Sequence, residues 1–407
     1  FWGEVFGDPK FAEPDASPPT TEAMQKCVDR LSKVLPEAAK LDLCKPFDEE
    51  ELEYSLKKGW LHSAPGSDGF PRSFYKHFWD LLSPTLLILA LEVQRGGTFT
   101  QAFNEGVVAL LPKTDSDVPL PGQFRPITLL NVDYKIIAGM VAGRIKGHLE
   151  FLVHETQTGF VPNRLILENL TFNRDVIQWA KVTNNPVYIA FLDFEKAFDR
   201  VNWKFRNMVL AKCGFPPSLI GMIDALYHHA SVRLSVNGSL TDRISQGRGV
   251  RQGCPMSPFI FALFVEPLGQ LLREKEEEFG LKLPLILGDN DDDEKHILGS
   301  FFADDTTLYS GSTQKMEQAM ECIHEEFCLP SGARWNGDKT EVLCALSDSD
   351  QIVGRIGEMC LKGEAWTKSL GGVYSEEVTP QARYDKVIKK MEKRMVMLQK
   401  KGVSLLG

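Results

Sequence analysis

The chain has 407 residues, of which 43% are hydrophobic and 25% are charged, and a formal net charge of −9 with a sequence pI of about 5.5. This length supports a large core and two or three subdomains, and the acidic balance argues against a general nucleic-acid coat while leaving a local basic groove possible. Scattered cysteines without a Cys-x-x-Cys pair, no secretory signal and no membrane-length apolar run argue against a disulfide scaffold, a zinc knuckle and a membrane protein.

The first 59 residues are predicted to contain helices. One is expected over residues 21–35. A second begins after Asp48, which forms a capping box with Glu51, and Gly59 marks its end. The stretch 63–71, Ser-Ala-Pro-Gly-Ser-Asp-Gly-Phe-Pro, is dense in turn residues and predicts a loop.

Two short strands are predicted over residues 107–113 and 124–129. Lys113 and Arg125 would then lie on one β-hairpin, both near its open end. Arg125 beside a proline is equally compatible with a structural ion pair. The helix that follows carries one apolar stripe at helical spacing, which indicates a core-facing side; its members are Leu130, Tyr134, Ile137, Val141 and Ile145.

A turn at residues 157–162 precedes a helix that runs to about residue 180. Residues 187–194 form a near-continuous apolar run that ends at Asp193 and Phe194, as expected of a buried central strand. A carboxylate at the end of such a strand is costly unless it is paired or coordinated. A new helix is predicted to begin at residues 194–201 and to continue to residue 230, with a break at 214–217.

Asn237-Gly238 between two short strands predicts a tight hairpin. The stretch 247–258 combines glycines, two arginines and Pro258, which would begin an apolar helix over 259–272. Such a helix start suits a phosphate or a nucleotide base, although it lacks the Gly-Lys-Ser/Thr core of a P-loop. The acidic run 288–294 lacks the glycine that a calcium loop needs and is interpreted as a solvated loop.

Residues 300–309 place Asp304 and Asp305 between aromatic and β-branched residues, which predicts a hairpin with both carboxylates at its tip. An isolated Asp-Asp is usually a solvated turn. A neighbouring strand ending at Asp193 would instead bring three carboxylates together, a ligand set suited to Mg²⁺ or Mn²⁺. Two such ions ~4 Å apart support phosphoryl transfer.

The order of elements predicts an α+β protein with an antiparallel sheet backed by helices on one face. A helix near residues 315–328 would bury Met316, Met320, Ile323 and Phe327. An apolar stripe over residues 384–398 is surrounded by lysines and arginines. That last helix would pack on a partner with a solvated basic face, or lie along a phosphate backbone.

Taken together, the motifs resemble those of reverse transcriptases of LINE-type (non-LTR) retrotransposons. The resemblance rests on Phe302-Ala303-Asp304-Asp305, on residues 191–199 (Phe-Leu-Asp-Phe-Glu-Lys-Ala-Phe-Asp), on residues 249–258 (Gly-Val-Arg-Gln-Gly-Cys-Pro-Met-Ser-Pro), and on Leu111-Pro112-Lys113 with residues 124–131. The stretches 63–69 and 157–160 also resemble segments of LINE-type reverse transcriptases. Five ordered motifs over residues 60–375 make a chance agreement negligible.

The resemblance implies a right-hand polymerase with fingers, palm and a partial thumb. Residues 1–59 would be an N-terminal extension, 60–185 the fingers with a contribution from 201–247, 186–375 the palm with the metal site, and 376–407 the start of the thumb with a basic helix. Because the chain starts at Phe1 and carries neither an endonuclease nor a Cys/His segment, we expect a polymerase core cut from a longer element.

The resemblance also assigns roles. Metal binding would fall to Asp193, Asp304 and Asp305, and triphosphate binding to Lys113 and Arg125. Phe198 would lie under the sugar and exclude a 2′-hydroxyl, Gln252 would contact the nucleotide or template base, and Lys339 would help to protonate pyrophosphate. Residues 369–371 resemble the primer-grip hairpin, and the stretch 333–335 departs from the family pattern before Lys339.

The implied activity is RNA-directed DNA synthesis with two Mg²⁺ or Mn²⁺ ions, an RNA template, a DNA or RNA primer and deoxynucleoside triphosphates, in the nucleus and cytoplasm and without a membrane. Three alternatives stay open at this point: an RNA-directed RNA polymerase, an inactive relic that only binds RNA, and a metal-dependent nuclease or phosphatase. The bulky Phe198 favours deoxynucleotides over the first, and the intact carboxylates argue against the second. The nuclease would leave Lys113, Arg125 and Gln252 without a role.

Overall fold

A computed structural model describes residues 1–8, 19–61, 63–113, 119–284, 294–336, 339–345, 352–356, 359–364, 366–369 and 372–375. The helices are α1 Trp2–Val5, α2 Thr21–Val28, α3 Glu37–Leu43, α4 Glu49–Lys58, α5 Arg72–His77, α6 Trp79–Gln94, α7 Val132–Lys146, α8 Leu149–Leu152, α9 Ile166–Thr183, α10 Trp203–Lys212, α11 Pro217–Tyr227, α12 Ser257–Phe264, α13 Glu266–Glu274, α14 Glu276–Phe279, α15 Thr313–Ile323 and α16 Leu329–Ser331. Single turns of 3-10 helix occur at Pro121–Gln123 and Ala197–Arg200, and a π-helical turn at His324–Cys328.

The strands are β1 Glu105–Pro112, β2 Phe124–Leu130, β3 Val187–Leu192, β4 Ser231–Val236, β5 Ser239–Leu240, β6 Ile244–Ser245, β7 Leu281–Pro284, β8 Glu294–Ile297, β9 Gly299–Phe302, β10 Asp305–Ser310, β11 Glu341–Ala345, β12 Ile352–Ile356, β13 Met359–Glu364, β14 Trp366–Ser369 and β15 Gly372–Ser375. They form a five-stranded sheet, a six-stranded sheet and two separate hairpins, β7–β8 and β14–β15.

The six-stranded sheet has the order β12-β13-β11-β3-β10-β9 and is antiparallel except for the parallel pair β11–β13. All six residues of β3 are buried, as the apolar run predicts. Their alternation sends Val187, Ile189 and Phe191 into a cluster with α9, and the other three residues face the main core. The expectation of helices on one face only is therefore wrong, because a strand that is apolar on both sides needs cover on both sides.

The five-stranded sheet joins segments that are far apart in the sequence. Strands β1 and β2 pair antiparallel, as predicted, and β1 also pairs in parallel with β4. Leu111 lies opposite Arg125, and the Lys113 amide donates to the Gln123 carbonyl over 2.8 Å. Both cations thus lie at the end of the hairpin where the loop connects the strands, which corrects the expected open end. The β4–β5 hairpin turns at Asn237 and Gly238, which have φ angles of 50° and 82°.

Several helices end earlier than their sequence pattern predicts. The helix expected over 21–35 ends at Val28. The segment 194–201 forms a single 3-10 turn, and α10 begins only at Trp203. The apolar helix expected over 259–272 is two helices with a break at Val265, because Pro267 opens the second and has no amide hydrogen to continue the first. Leu130 ends β2 instead of beginning the following helix.

Other local predictions are confirmed. The Asp48–Glu51 capping box begins α4, and Gly59 follows its last residue. The stripe from Tyr134 to Ile145 is buried in α7. The helix predicted over 315–328 forms α15 and then a π-helical turn, with Met316, Met320, Ile323 and Phe327 buried.

The main core extends from Met24 in α2 to Val342 in β11, so the N-terminal helices share it with the six-stranded sheet. In the described segments, no helix combines the length and the apolar character needed to cross a membrane. The basic helix at 384–398, most of the acidic run 288–294 and residues Leu370 and Gly371 of the expected primer-grip hairpin lie outside the described residues.

Candidate active site

The three predicted acidic residues lie at one end of the six-stranded sheet. Leu192, the last residue of β3, pairs with Thr306 of β10, so Asp193 and Asp305 stand one step beyond this pair. Strand β10 in turn pairs with β9, where Asp305 lies opposite Phe302 and leaves Ala303 and Asp304 as a two-residue turn. Sheet pairing therefore brings together carboxylates that are more than a hundred positions apart in the sequence.

Burial and repulsion between neighbouring carboxylates raise the pKa values of the two hairpin aspartates, Asp304 and Asp305. Burial and the charge of Asp193 raise the pKa of Asp304 above its usual range. Desolvation and then the charges of Asp304 and Asp193 raise the pKa of Asp305 to about 6. A bound cation would relieve both effects, since an opposite charge favours the ionised form.

Asp193 is held by the segment that follows α16. The Asn336 side-chain amide donates to Asp193 Oδ2 over 2.9 Å, and the Asn336 backbone amide donates to the Asp193 carbonyl over 2.8 Å. Lys339 Nζ lies 3.4 Å from the same Oδ2. Trp335 stacks on Phe194 with ring centroids 4.5 Å apart. The structure thus brings Lys339 to the acidic residues despite the unusual stretch 333–335.

A cavity of about 800 Å³ opens beside these residues, and Asp193 and Asp304 line it. Asp305 is partly desolvated by its neighbours but still reaches solvent, and it lies outside this lining. Five cationic residues line the same space: Lys113, Arg125, Lys196, Arg251 and Lys339. Desolvation and the charges of Lys339 and Arg125 lower the pKa of Lys113. Such a concentration of positive charge around an open space favours a polyanionic ligand.

Lys196 connects the two sheets at this cavity. Its ammonium group donates to the carbonyls of Gly122 and Phe124 over 3.1 and 3.2 Å, and it lies 4.7 Å from the centre of the Trp2 ring. Desolvation, followed by the charge of Lys113, lowers its pKa to about 8. Residue 196 has a φ angle of 49°, so the chain turns sharply just after Asp193.

Phe198 and Gln252 form another wall of the cavity. The Phe198 ring stacks on Phe261 at 4.6 Å and meets Phe160 edge-on at 6.0 Å. Gln252 donates from Nε2 to Asp199 Oδ2 over 3.2 Å, and burial raises the pKa of Asp199 to about 7. The Val250 amide donates to the Phe198 carbonyl over 2.7 Å, which links the two stretches.

Comparison with known proteins adds a line of evidence that is independent of this geometry. Residues 111–407 match the family described as Reverse transcriptase (RNA-dependent DNA polymerase). The match covers well over half of the chain.

The chain belongs to the reverse transcriptase family.

The relatives of this reverse transcriptase come from non-LTR retrotransposons, and the predicted resemblance is confirmed. It is 33% identical over 326 residues to the Transposon TX1 uncharacterized 149 kDa protein of Xenopus laevis, covering 80% of this chain and 24% of that protein. It is 24% identical over 304 residues to the Retrovirus-related Pol polyprotein from type-2 retrotransposable element R2DM of Drosophila melanogaster, covering 71% and 27%. The RNA-directed DNA polymerase from mobile element jockey, also of Drosophila melanogaster, is 25% identical over 268 residues, covering 65% and 27%. The chain spans about a quarter of the length of these relatives.

Reverse transcriptases generally use divalent metal ions, and the donor set here is compatible with such ions. In the regions that the structure describes, no three His, Cys, Asp or Glu side chains converge closely enough to hold a metal ion by themselves. Mg²⁺ is commonly held by one or two carboxylates together with substrate phosphates, so a closed protein cage is not required. Asp193 and Asp304 fit that arrangement, because both face one cavity and their negative charges repel each other.

Sequence reasoning assigned no role to four residues that the structure places in or against the reverse transcriptase site. They are Asn336, which holds Asp193, and the cavity-lining residues Lys196, Asp199 and Arg251. Three of them stand inside stretches quoted for the resemblance, and Asn336 directly follows the stretch 333–335. Their positions were therefore available, but their partners lie across the fold and carry no local signal.

Proposed function

We propose that this reverse transcriptase domain copies RNA into DNA by template-directed nucleotidyl transfer, as part of a LINE-like retroelement. The observation that carries the proposal is the single cavity in which Asp193 and Asp304 face Lys113, Arg125 and Lys339. Acidic ligands for divalent cations and basic groups for a triphosphate are the two requirements of phosphoryl transfer.

Asp193, Asp304 and Asp305 would hold two Mg²⁺ or Mn²⁺ ions. When bound, the ions neutralise charge on the attacking and leaving oxygens of the reaction. Asn336 fixes the Asp193 carboxylate in place, and the exposed position of Asp305 supports a lesser role for it than for the other two.

Lys113 and Arg125 bind the triphosphate from the fingers hairpin, where charge-assisted hydrogen bonds recognise phosphate oxygens. Lys339, which lines the same cavity and lies 3.4 Å from Asp193 Oδ2, would help to protonate pyrophosphate. The flat Phe198 ring, which stacks on Phe261, would lie under the sugar and exclude a 2′-hydroxyl. Gln252 contacts the base from an amide whose orientation Asp199 sets.

The partners of this activity are an RNA template, a DNA or RNA primer and deoxynucleoside triphosphates. We also propose that the protein works inside the cell, in the nucleus and the cytoplasm. The family relationship supports both statements, and a template-primer duplex is too large for the cavity itself, so it would lie across the surface at its mouth.

A primer-extension assay tests the proposal. The chain is supplied with RNA or DNA template, with Mg²⁺ or Mn²⁺, and with either deoxynucleotides or ribonucleotides. We expect extension on RNA with deoxynucleotides that requires a divalent ion. Extension only with ribonucleotides would identify an RNA polymerase, strand cleavage without extension a nuclease, and binding of RNA without any chemistry an inactive relic.

A further inference from the structure

The loop just before α9 makes contacts that the roles assigned above leave unused. Gln157, only 2% exposed, lies beside the catalytic hairpin. Its Oε1 accepts hydrogen bonds from the backbone amides of Ala303 and Gly159 over 2.9 and 2.7 Å, and its Nε2 donates to the Ala303 carbonyl over 3.4 Å. One side-chain amide thus satisfies both backbone groups of the residue that precedes Asp304.

Ala303 is the point of the hairpin that most needs such support. It has a φ angle of 59°, in the left-handed region that residues with a side chain seldom adopt. It is also 4% exposed, so an unpaired amide there would be costly. A strained backbone conformation persists where neighbouring groups hold it in place. Here the hydrogen bonds of Gln157 hold Ala303.

The same loop follows β9 closely. Phe301 donates from its amide to the Thr156 carbonyl over 2.8 Å and accepts from the Thr158 amide over 2.9 Å. Gly159 lies against the turn so tightly that a Cβ atom there would fall 2.1 Å from the Ala303 nitrogen. The contact is therefore backbone on backbone, with little freedom for either segment to shift alone.

The loop also reaches the other side of the cavity. Phe160, the residue after Gly159, has a φ angle of 63° and its ring meets the Phe198 ring edge-on at 6.0 Å. Four consecutive residues thus contact the acidic turn at one end and the sugar-facing aromatic wall at the other.

We infer that Gln157 is a positioning residue for the catalytic carboxylates, and that residues 157–160 set the separation between the acidic turn and the Phe198 ring. The inference rests on the proposed function for the meaning of that separation, but the hydrogen bonds of Gln157 to Ala303 carry the positioning itself. Gln is suited to this place because its amide both accepts and donates, whereas Met has about the same length, cannot donate and accepts only weakly.

The test compares Gln157→Met with Gln178→Met, the same change at an exposed position of α9. We expect Gln157→Met to lower kcat by ~10²-fold with little change in the nucleotide KM, since a small misplacement of reacting groups has an effect of that size. The affinity of the chain for Mn²⁺ alone, measured by calorimetry, should fall by ~10-fold, as is typical when a residue that orients metal ligands is lost. Gln178→Met should match the wild type in both.

Hydrogen exchange separates positioning from general loss of folding. In Gln157→Met the peptide 299–310 should exchange faster at the turn, while peptides from α7 and from β3 keep wild-type protection. Exchange at wild-type rates in 299–310, together with unchanged Mn²⁺ affinity, would overturn the inference. Uniformly faster exchange in all peptides would also overturn it, because Gln157 would then be an ordinary structural residue.

A second variant, Gln157→Glu, provides the test if Gln157→Met fails to fold. It keeps both acceptor contacts but replaces the donor with a carboxylate oxygen that faces the Ala303 carbonyl, so we expect faster turn exchange than in the wild type. If the wild-type chain shows no primer extension but Gln157→Met still loses Mn²⁺ affinity and turn protection, the proposed function fails and the positioning role stands.

Discussion

Three aspartates around the cavity differ in how they meet water and charge. Asp193 is tied by Asn336 and Lys339, Asp305 is exposed at the start of β10, and Asp199 is 3% exposed behind Gln252. From these differences we expect separate tasks for residues of one chemical type: holding a cation for Asp193, assisting at the rim for Asp305, and orienting the Gln252 amide for Asp199. The differences follow from position in the sheet and not from the residues themselves.

The acidity of Asp199 gives a prediction about stability. Burial raises its pKa from the ordinary 3.8 to about 7, so the folded chain binds this proton more tightly than the unfolded chain does. The resulting stabilisation is fully present below pH 3.8 and is lost as the pH rises through about 7. Asp199→Asn, which never ionises, should therefore gain roughly 2–4 kcal/mol of unfolding free energy relative to the wild type between pH 4 and pH 8.

Denaturant unfolding at several pH values measures this difference, with exposed Asp175→Asn as the control. Parallel pH curves for Asp199→Asn and the wild type would contradict the prediction.

Loss of a carboxylate at the cavity should end catalysis. Asp193→Ala and Asp304→Ala should each abolish detectable extension, because each removes a charge that faces both the cation site and the basic groups. Asp305→Asn should be milder, since this side chain is exposed and lies beyond the cavity lining. Steady-state extension rates provide the measurement, with Asp175→Ala as the control. Near-wild-type turnover of Asp193→Ala or Asp304→Ala would show that the metal site lies elsewhere.

The stacked ring of Phe198 predicts the choice of sugar. Phe198→Ala should raise the efficiency with ribonucleotides relative to deoxynucleotides, because it opens space beneath the 2′ position while deoxynucleotide use survives. The ratio of kcat/KM for the two nucleotides is the quantity to compare, and Phe151→Ala, at an exposed position of α8, is the control. An unchanged ratio would mean that the ring serves only to pack on Phe261.

At the scale of elements, the β1–β2 hairpin brings two cations to the cavity. Arg125→Ala should lower kcat/KM for nucleotide by ~10²-fold or more, because a positioned cation near the leaving phosphate favours the transition state over the ground state. RNA binding without nucleotide should hardly change.

Extension at varied nucleotide concentration, alongside template-primer binding, tests the hairpin assignment, and exposed Arg174→Ala is the matched control. If Arg125→Ala loses template affinity but keeps its nucleotide KM and kcat, Arg125 binds the template-primer and not the nucleotide.

Most elements and their apolar faces could be predicted from the sequence because they depend on local periodicity. The β9–β10 hairpin, the buried β3 strand and the α4 capping box are confirmed for this reason. The break at Val265 was missed because the apolar run continues through it, although Pro267 was a visible signal.

The site was predictable as a set of residues but not as a set of contacts. The family motifs indicated which carboxylates and cations meet, and the structure brings most of them to one cavity. The hydrogen bonds of Asn336 to Asp193 and of Gln157 to Ala303 join residues 143 and 146 positions apart. No local pattern encodes such partners, and their assigned roles stay predictions until they are tested.

For the molecule as a whole, Arg144 connects the N-terminal helices to the core. Its side chain, 9% exposed, donates to both carboxylate oxygens of Glu51 and to the carbonyls of Leu43, Lys45 and Pro46. The guanidinium also lies 4.0 Å from the centre of the Phe47 ring. The N-terminal helices therefore pack as part of the main core.

Arg144→Lys should lower the free energy of unfolding by ~2–3 kcal/mol, because an ammonium group cannot reproduce a forked set of hydrogen bonds. Nucleotide kcat and KM should stay at wild-type values in the folded protein, since Arg144 does not line the cavity. Thermal and denaturant unfolding give the measurement, with exposed Arg174→Lys as control. Equal stability of Arg144→Lys and the wild type would show that the N-terminal helices pack without this arginine.

The same long-range packing has a consequence for how the chain is made. Arg30, just after α2, pairs with Glu274 and with Glu326, which follow it by 244 and 296 residues. At roughly 5–20 residues per second, a ribosome needs about 15–60 s to deliver these partners. During that interval Met24, Cys27 and Val28 have no finished core to enter. We therefore expect the first helices to need chaperones during synthesis, and a nascent chain stalled before residue 326 to aggregate.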